Sequence, residues 1–309
     1  MSRPVCEACG APDLKLIGRK NGEFILREFT FHQCGGCGFM WVEPFSGFAI
    51  YNDAYYRGKG PDPYVDYESE YQDWQRSDRA LEFDDMARLA QKFFVTARPA
   101  PPAAEPPPPI AWLDFGCGAG GFLKYLRARG SLHGRPLELT GHDVGSYAEL
   151  LKTREGFRIL DWDELSREST ARYDVISLIE VIEHLPSPLE PLALAARLLK
   201  PGGLLLLTTG NLDSLIARRQ GIHYRYCAPE IHVSLFNPAC LAALYRRVGL
   251  SPCRVRYRGA VKFKVLKTLR LQPRSRRLAR LALRLPPVVR LVDWLYGVSA
   301  MPCAVKPPQ

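Results

Sequence analysis

Acidic residues are missing from one long stretch of this 309-residue chain: between Ile231 and Val292 there is no Asp or Glu, against 15 Lys and Arg. The formal net charge of +10 therefore belongs to the C-terminal quarter, and the remaining residues together carry about five net negative charges. Apolar runs long enough to span a bilayer are also missing, because Pro, Arg or Gly interrupts each before 18 residues. The opening MSRPVCEACG has no apolar signal-peptide core, so the cytoplasm is the expected compartment. Nor is there a disulfide framework: of nine cysteines, four form two tight pairs and five are scattered, as in a reducing compartment. What is present suffices for a core, with 47% apolar residues, 14 Phe and 14 Tyr. The length fits one domain of roughly 200 residues plus a smaller appendage.

The paired cysteines are Cys6-Glu7-Ala8-Cys9 and Cys34-Gly35-Gly36-Cys37, separated by 24 residues. Two C-x-x-C knuckles read as converging on one tetrahedral Zn2+, and the strand-like FILREFTFHQC between them suits a hairpin that brings the second back to the first. Four thiolates from Cys6, Cys9, Cys34 and Cys37 close the coordination sphere, so the metal is expected to be structural. It stands in for a core that a module of residues 1–44 is too short to build.

Residues 45–75 are rich in Tyr, Trp, Phe and turn formers, and their flat amphipathic faces suit either the wall of a polar substrate site or packing of the zinc module on its neighbour. A helical pattern then runs from Ser69 to about Ala97, with Leu81, Met86, Leu89, Ala90, Phe93 and Phe94 as its buried stripe. RPAPPAAEPPPP, 98–109, is an extended proline-rich linker. We therefore separate a cap segment, 45–97, from a main domain, 110–309.

In the main domain strands and helices alternate: IAWLDFG, GFLKYLRARG, LELTGHD, SYAELLKTRE, FRILDWD, YDVISLIEV, LEPLALAARLLK and GGLLLLTTG. Nearly all-apolar strands in such an alternation mean a parallel sheet covered on both faces, an α/β fold whose ligands bind beyond the carboxyl ends of the strands. LDFGCGAGG, 113–121, fits G-x-G-x-x-G and G-x-G-x-G equally, and glycines alone do not choose between a dinucleotide and another nucleotide-like cofactor. Asp143, 29 residues after Asp114, closes the second strand where a carboxylate can accept from two ribose hydroxyls, which NAD would also use.

The ordered set LDFGCGAGG, GHD, DVISLIEVIEHL and LLKPGG, over about 110–255, resembles the class I S-adenosylmethionine-dependent methyltransferases. The resemblance implies a Rossmann-like seven-stranded sheet with the loop of Gly116, Cys117, Gly118 and Gly120 beneath the methionine and ribose of S-adenosyl-L-methionine. It implies that Asp114 holds the methionine amino group, Asp143 the ribose hydroxyls, and Asp161 with Trp162 the adenine edge and face. Glu180 to His184 form the loop beside the sulfonium, where His184 either serves the reaction or fixes the loop. Cys117 is expected to contribute only backbone, with no nucleophilic role.

Further on, HYRYCAPEIHVSLFNP resembles a segment, W-R-Y…P-P-E-H-L-H-F-F-S-P, of methyltransferases from bacterial deoxysugar and surface-polysaccharide pathways, which also carry an N-terminal zinc module. Aligned on Phe236-Asn237-Pro238, His232 takes the place of the first His, Ile231 replaces the usual Glu, and Glu230 lies one residue away. His232, His184 and Glu230 are the candidate catalytic residues, and a sugar, nucleotide sugar or other small glycan-type molecule is the implied acceptor, methylated at oxygen or carbon. LSPCRVRYRG and SAMPCAVKPP resemble strands six and seven, which makes 260–297 a basic helical insertion before the last strand. With Leu278, Leu281, Ala282 and Leu285 on one helical face and Arg277, Arg280 and Arg284 on another, it reads either as a membrane-surface helix or as a helix packed on the domain. An RNA-modifying enzyme is a competing reading. Residues 1–40 hold five Lys and Arg against four Asp and Glu, which does not favour nucleic acid as a partner of the zinc module. A cofactor-binding scaffold without catalysis is the third.

Overall fold

The computed structural model describes residues 5–62, 66–97, 107–255, 279, 281–283, 285–297 and 301–308. The proline-rich linker and most of the basic stretch lie largely outside them.

The main domain is built on β4 (Ile110–Phe115), β6 (Arg135–His142), β7 (Arg158–Leu160), β8 (Tyr173–Ile179), β9 (Leu199–Thr208), β11 (Ser251–Cys253) and β12 (Cys303–Val305). Their order is β11-β12-β9-β8-β4-β6, with β7 beside β6 and a two-residue strand, β5 (Ser131–Leu132), also pairing with β6. All neighbours from β7 to β9 are parallel, and β12 runs antiparallel to both β9 and β11. This is the Rossmann-like seven-stranded methyltransferase sheet expected above. Every residue of β4 and β8 is buried, as strands covered on both faces must be.

Successive β4 side chains serve opposite cores. Trp112 packs with Phe83, Met86 and Phe94 of α3 (Ala80–Ala97) and with Phe122 and Leu126 of α4 (Gly121–Arg129). Leu113 and Phe115 face the other side, with Leu192 and Leu198 of α7 (Leu189–Leu198) and Leu241 and Leu244 of α9 (Pro238–Arg247). Truncating a fully buried leucine here, such as Leu178, costs roughly 2–5 kcal/mol. The remaining helices of this domain are α5 (Tyr147–Thr153), α6 (Trp162–Arg167) and α8 (Leu215–Gln220).

The N-terminal residues form β1 (Leu14–Asn21), β2 (Glu28–Cys34) and β3 (Met40–Glu43), an antiparallel meander. A fourth strand, β10 (Ser234–Leu235), joins it from the main domain, with Ser234 opposite Trp41 and Leu235 opposite Met40. The cysteine module thus shares a sheet with the segment carrying His232. The knuckles reinforce the contact. Glu7 accepts from Ser187 Oγ and the Leu189 N–H at the start of α7, and Asn237 Nδ2 donates to the Cys37 carbonyl.

The single helix expected over 69–97 is broken. A short α1 (Asp53–Tyr56) is followed by α2 (Tyr67–Gln72), a 3-10 turn at Trp74–Arg76, and then α3. The cause is local: Asp66 caps α2 at Ser69 N, and Asp73 ends it and caps the next turn at Gln75 N.

The insertion also departs from its expected face. The last helix, α10 (Pro286–Tyr296), begins only after Leu285, because Pro286 and Pro287 fit a first turn and not a continued helix. Leu281, Ala282 and Leu285 of the expected apolar face are exposed, whereas Leu283 is buried. Val289, Val292 and Tyr296 pack on the core, and Asn211 Nδ2 donates to the Gly297 carbonyl, while Leu291 and Trp294 of the same helix are exposed. Arg277 and Leu278 fall outside the described residues. Among the described residues no helix is long and apolar enough to cross a membrane.

Candidate active site

The glycine loop leaves the end of β4 at the point where the sheet order reverses between β4 and β8. The N–H groups of Gly116 and Cys117 donate to the His142 carbonyl at 2.7 and 2.9 Å, tying the loop to the end of β6. Gly116 has φ 79°, and a Cβ there would come within 2.5 Å of Val181. Both observations require glycine. Gly118 N donates to Asp143 Oδ2 at 2.8 Å and Gly145 N to Asp143 Oδ1 at 2.7 Å, so this carboxylate holds the loop as well as the rim of the site.

Asp114 lies beneath the loop. Trp112 Nε1 donates to Ser177 Oγ, and Ser177 donates in turn to Asp114 Oδ1 at 2.7 Å. Burial pushes the Asp114 carboxyl up to about 7, against the pull of the Ser177 hydrogen bond and of the Arg79 charge. A carboxyl so placed gains from any cation brought beside it.

A cavity of about 420 Å³ opens above the loop, within the range of small-molecule sites. Gly116, Gly118 and Asp143 form one end, with Phe115, His142 and Trp162 as an aromatic wall; Glu180, Val181 and His184 line it from the end of β8. Phe48, Tyr51, Tyr55, Tyr56 and Tyr67 close it from the segment before α3. Of the two readings of those aromatics, the structure supports the lining one. Tyr67 covers Gly118, whose added Cβ would stand 3.0 Å from its ring, and Tyr56 donates to Asp143 Oδ1 at 3.3 Å. Lys124 anchors the segment, donating to the Tyr71 carbonyl at 2.6 Å.

Asp114, Cys117, Gly120 and Asp161 of the expected cofactor set do not line the cavity. The exposed Asp161 accepts from Glu164 N at 2.7 Å as the cap of α6, and of this pair only Trp162 lines the cavity. The Cys117 thiol turns inward against Leu123, Leu151, Phe157 and Ile159; burial pushes it well above the ordinary thiol range, and it does not line the cavity. Gly120 caps α4 and faces Leu151.

The acceptor-side residues divide in the same way. Glu230 turns from the site, and its buried carboxylate accepts from Phe24 N at 2.9 Å in the β1–β2 turn. His184 lines the cavity, with Nδ1 2.8 Å from Tyr51 Oη and 3.0 Å from the Ile231 carbonyl. His232 stands behind it, ring centroids 4.9 Å apart, with Nδ1 2.6 Å from the Tyr226 carbonyl. Burial and the neighbouring His184 push His232 down to about 3, so its imidazole is neutral.

The residue not singled out from the sequence is Glu183. It is fully buried, Thr209 donates to its Oε2 at 2.9 Å, and Tyr226 donates to its Oε1. One ligating atom from each of Glu183, His184 and His232 lies within 4.8 Å of the other two. The signal was present in EVIEHL, where Glu and His adjoin in the turn after β8.

At the N-terminus the four cysteine sulfurs also lie within 4.8 Å of one another, Cys6 to Cys37 at 3.7 Å and Cys9 to Cys34 at 3.6 Å. A tetrahedral ion with metal–sulfur bonds of about 2.3 Å needs sulfur–sulfur edges of about 3.8 Å, so the four cysteines fit Zn2+.

The family described as "Methyltransferase domain" matches residues 81–254. Among curated proteins, the chain is 27% identical over 158 residues to a ubiquinone biosynthesis O-methyltransferase of Bordetella bronchiseptica, covering 47% of this chain and 63% of that one. It is 34% identical over 148 residues to the protein of the same name in Xylella fastidiosa, covering 45% and 59%. The chain thus spans about three-fifths of the length of these relatives. Similar solved structures include a complex between the Haloferax volcanii Trm112 methyltransferase activator and a putative methyltransferase, at TM-score 0.47 and 15% identity, covering 79% of this chain and 98% of that one. Another is a putative sarcosine dimethylglycine methyltransferase from Galdieria sulphuraria, at TM-score 0.40 and 19% identity, covering 75% and 83%. Because the family match takes in more than half of the chain, including the glycine loop, the β6 carboxylate and the turn after β8, the chain belongs to the methyltransferase-domain family.

Proposed function

We propose that this chain is an S-adenosylmethionine-dependent methyltransferase that methylates a hydroxyl oxygen of a small molecule. The observation that carries the reading is one continuous cavity joining the glycine loop and Asp143 to His184 beneath a roof of tyrosines. Asp143 would hold the ribose hydroxyls, Trp162 the adenine face, and Asp114 the methionine ammonium, which a buried carboxyl ready to ionise favours. The cofactor supplies a methyl group already activated on sulfur: the acceptor oxygen bonds to its carbon as the carbon–sulfur bond breaks, the electron pair stays on sulfur, and the hydroxyl proton leaves to solvent.

The chain's own task is alignment, worth several kcal/mol when the reacting atoms are held in contact, together with help in removing that proton. Phe48, Tyr51 and Tyr55 offer flat faces to a ring-shaped acceptor, and His184 meets it from the β8 side. A hydroxyl acceptor accords with the O-methyltransferase names of the curated relatives, and a sugar ring accords with the aromatic walls. The four cysteines hold a structural Zn2+ that keeps β3, and through it β10 and His232, in register.

The test is calorimetric binding of S-adenosylhomocysteine, followed by transfer of labelled methyl from S-adenosylmethionine to nucleotide sugars, free sugars and catechol-type acceptors. Binding with transfer to a hydroxyl supports the reading. Salt-sensitive methylation of RNA in place of these acceptors would overturn it.

A further inference from the structure

We propose that Glu183, His184 and His232 form a binding site for a divalent transition-metal ion at the wall of the cavity. Their ligating atoms converge to within 4.8 Å of one another, although two follow β8 and the third lies 48 residues further on, just before β10. Two imidazoles and a carboxylate with an open side are a set that Zn2+, Mn2+ or Fe2+ takes in other proteins.

Beside the convergence, the outer bonds of His232 and Glu183 are those of ligands. A carbonyl oxygen can only accept, so Nδ1 of His232 donates to the Tyr226 carbonyl at 2.6 Å; Nδ1 of His184 lies 3.0 Å from the Ile231 carbonyl and 2.8 Å from the Tyr51 hydroxyl, which can donate or accept. The His232 donation fixes the neutral tautomer that leaves its lone pair on Nε2. The Glu183 oxygens each accept a hydroxyl proton, from Thr209 and from Tyr226, which aims the carboxylate without neutralising it. Metal-bound histidines and carboxylates are held in this manner.

Burial gives a further reason. Glu183 is fully buried and His232 is 7% exposed, so a cation among them would offset the cost of a carboxylate in that interior. Of the three, His184 lines the cavity. An ion there would bind the acceptor hydroxyl and ease loss of its proton. That role rests on the proposed methyl transfer, whereas the binding site itself does not.

The four-cysteine site must be kept apart in the test. Mn2+ suits this purpose, because a hard ion favours carboxylate and imidazole over thiolate. The full chain, with zinc already supplied, is titrated with Mn2+ and free ion is followed by electron paramagnetic resonance. Wild type is expected to bind one equivalent. His232→Ala and Glu183→Gln lose it, while Tyr226→Phe, which removes an outer bond, weakens it about 10-fold or more. S-adenosylhomocysteine binding reports that each variant is folded and tests the cofactor reading separately. A folded, cofactor-binding wild type that takes up no Mn2+, and holds no zinc beyond the one ion of the cysteines, overturns the proposal. Mn2+ binding without cofactor binding would uphold this site and overturn the methyltransferase reading instead.

Discussion

The Tyr51 hydroxyl stands 2.8 Å from His184 Nδ1, joining the aromatic segment that precedes α1 to the turn that follows β8. This contact joins the tyrosine roof of the cavity to its β8 wall. Replacing Tyr51 with Phe removes the hydrogen bond and keeps the ring. We expect a loss of about 1 kcal/mol, roughly fivefold in kcat/KM for the acceptor, with cofactor affinity unchanged. Steady-state kinetics beside calorimetry checks the separation.

Asp161 provides the contrasting case. Because its carboxylate caps α6, Asp161→Ala is expected to lower stability by about 1 kcal/mol in urea denaturation while leaving S-adenosylhomocysteine binding unchanged. A weakened cofactor with unaltered stability would return Asp161 to the adenine site.

A pH dependence follows from Asp114. Its carboxyl, raised to about 7, keeps its proton where an unfolded aspartate has lost it, so this group's contribution to stability is full below the ordinary aspartate range and is lost as pH rises through about 7. A ligand ammonium favours the ionised form, so cofactor binding should release a proton below pH 7 and tighten as pH rises to that value. Calorimetry in two buffers of different ionisation enthalpy measures the release, which Asp114→Asn should abolish.

The zinc proposed for the four cysteines makes a prediction at a distance. Cys34→Ser should release the metal and destabilise the chain by more than about 2 kcal/mol, roughly 5 °C in melting temperature. Because β10 begins two residues after His232 and pairs with β3, hydrogen exchange in 228–236 should quicken with that loss. Unchanged protection there, in a chain shown to lack zinc, would separate the module from the active site.

The parallel sheet was legible in the sequence because strands covered on both faces must be apolar along their whole length, as in IAWLDF and YDVISLI. Asp143 and the glycine loop were legible because that turn constrains its residues so tightly. Glu230 and Asp161 were not. A carboxylate near a site in sequence can be claimed by any local N–H, and Phe24 and Glu164 offered theirs. Glu183 escaped because its importance depends on His232 and Tyr226, brought to it by a strand that the cysteine module completes. The apolar face expected through Leu281, Ala282 and Leu285 was misjudged: these residues are exposed, and Pro286 and Pro287 start a separate helix after them.

Calorimetric titration of S-adenosylhomocysteine into wild type and Asp143→Ala tests most directly that the cavity over the glycine loop is the cofactor site. The account predicts one-site binding by wild type and a loss of at least about 2 kcal/mol, some thirtyfold, in the variant, which forfeits both the ribose carboxylate and the anchor of Gly118. Equal affinity in the two proteins, or no binding by a folded wild type, would contradict it.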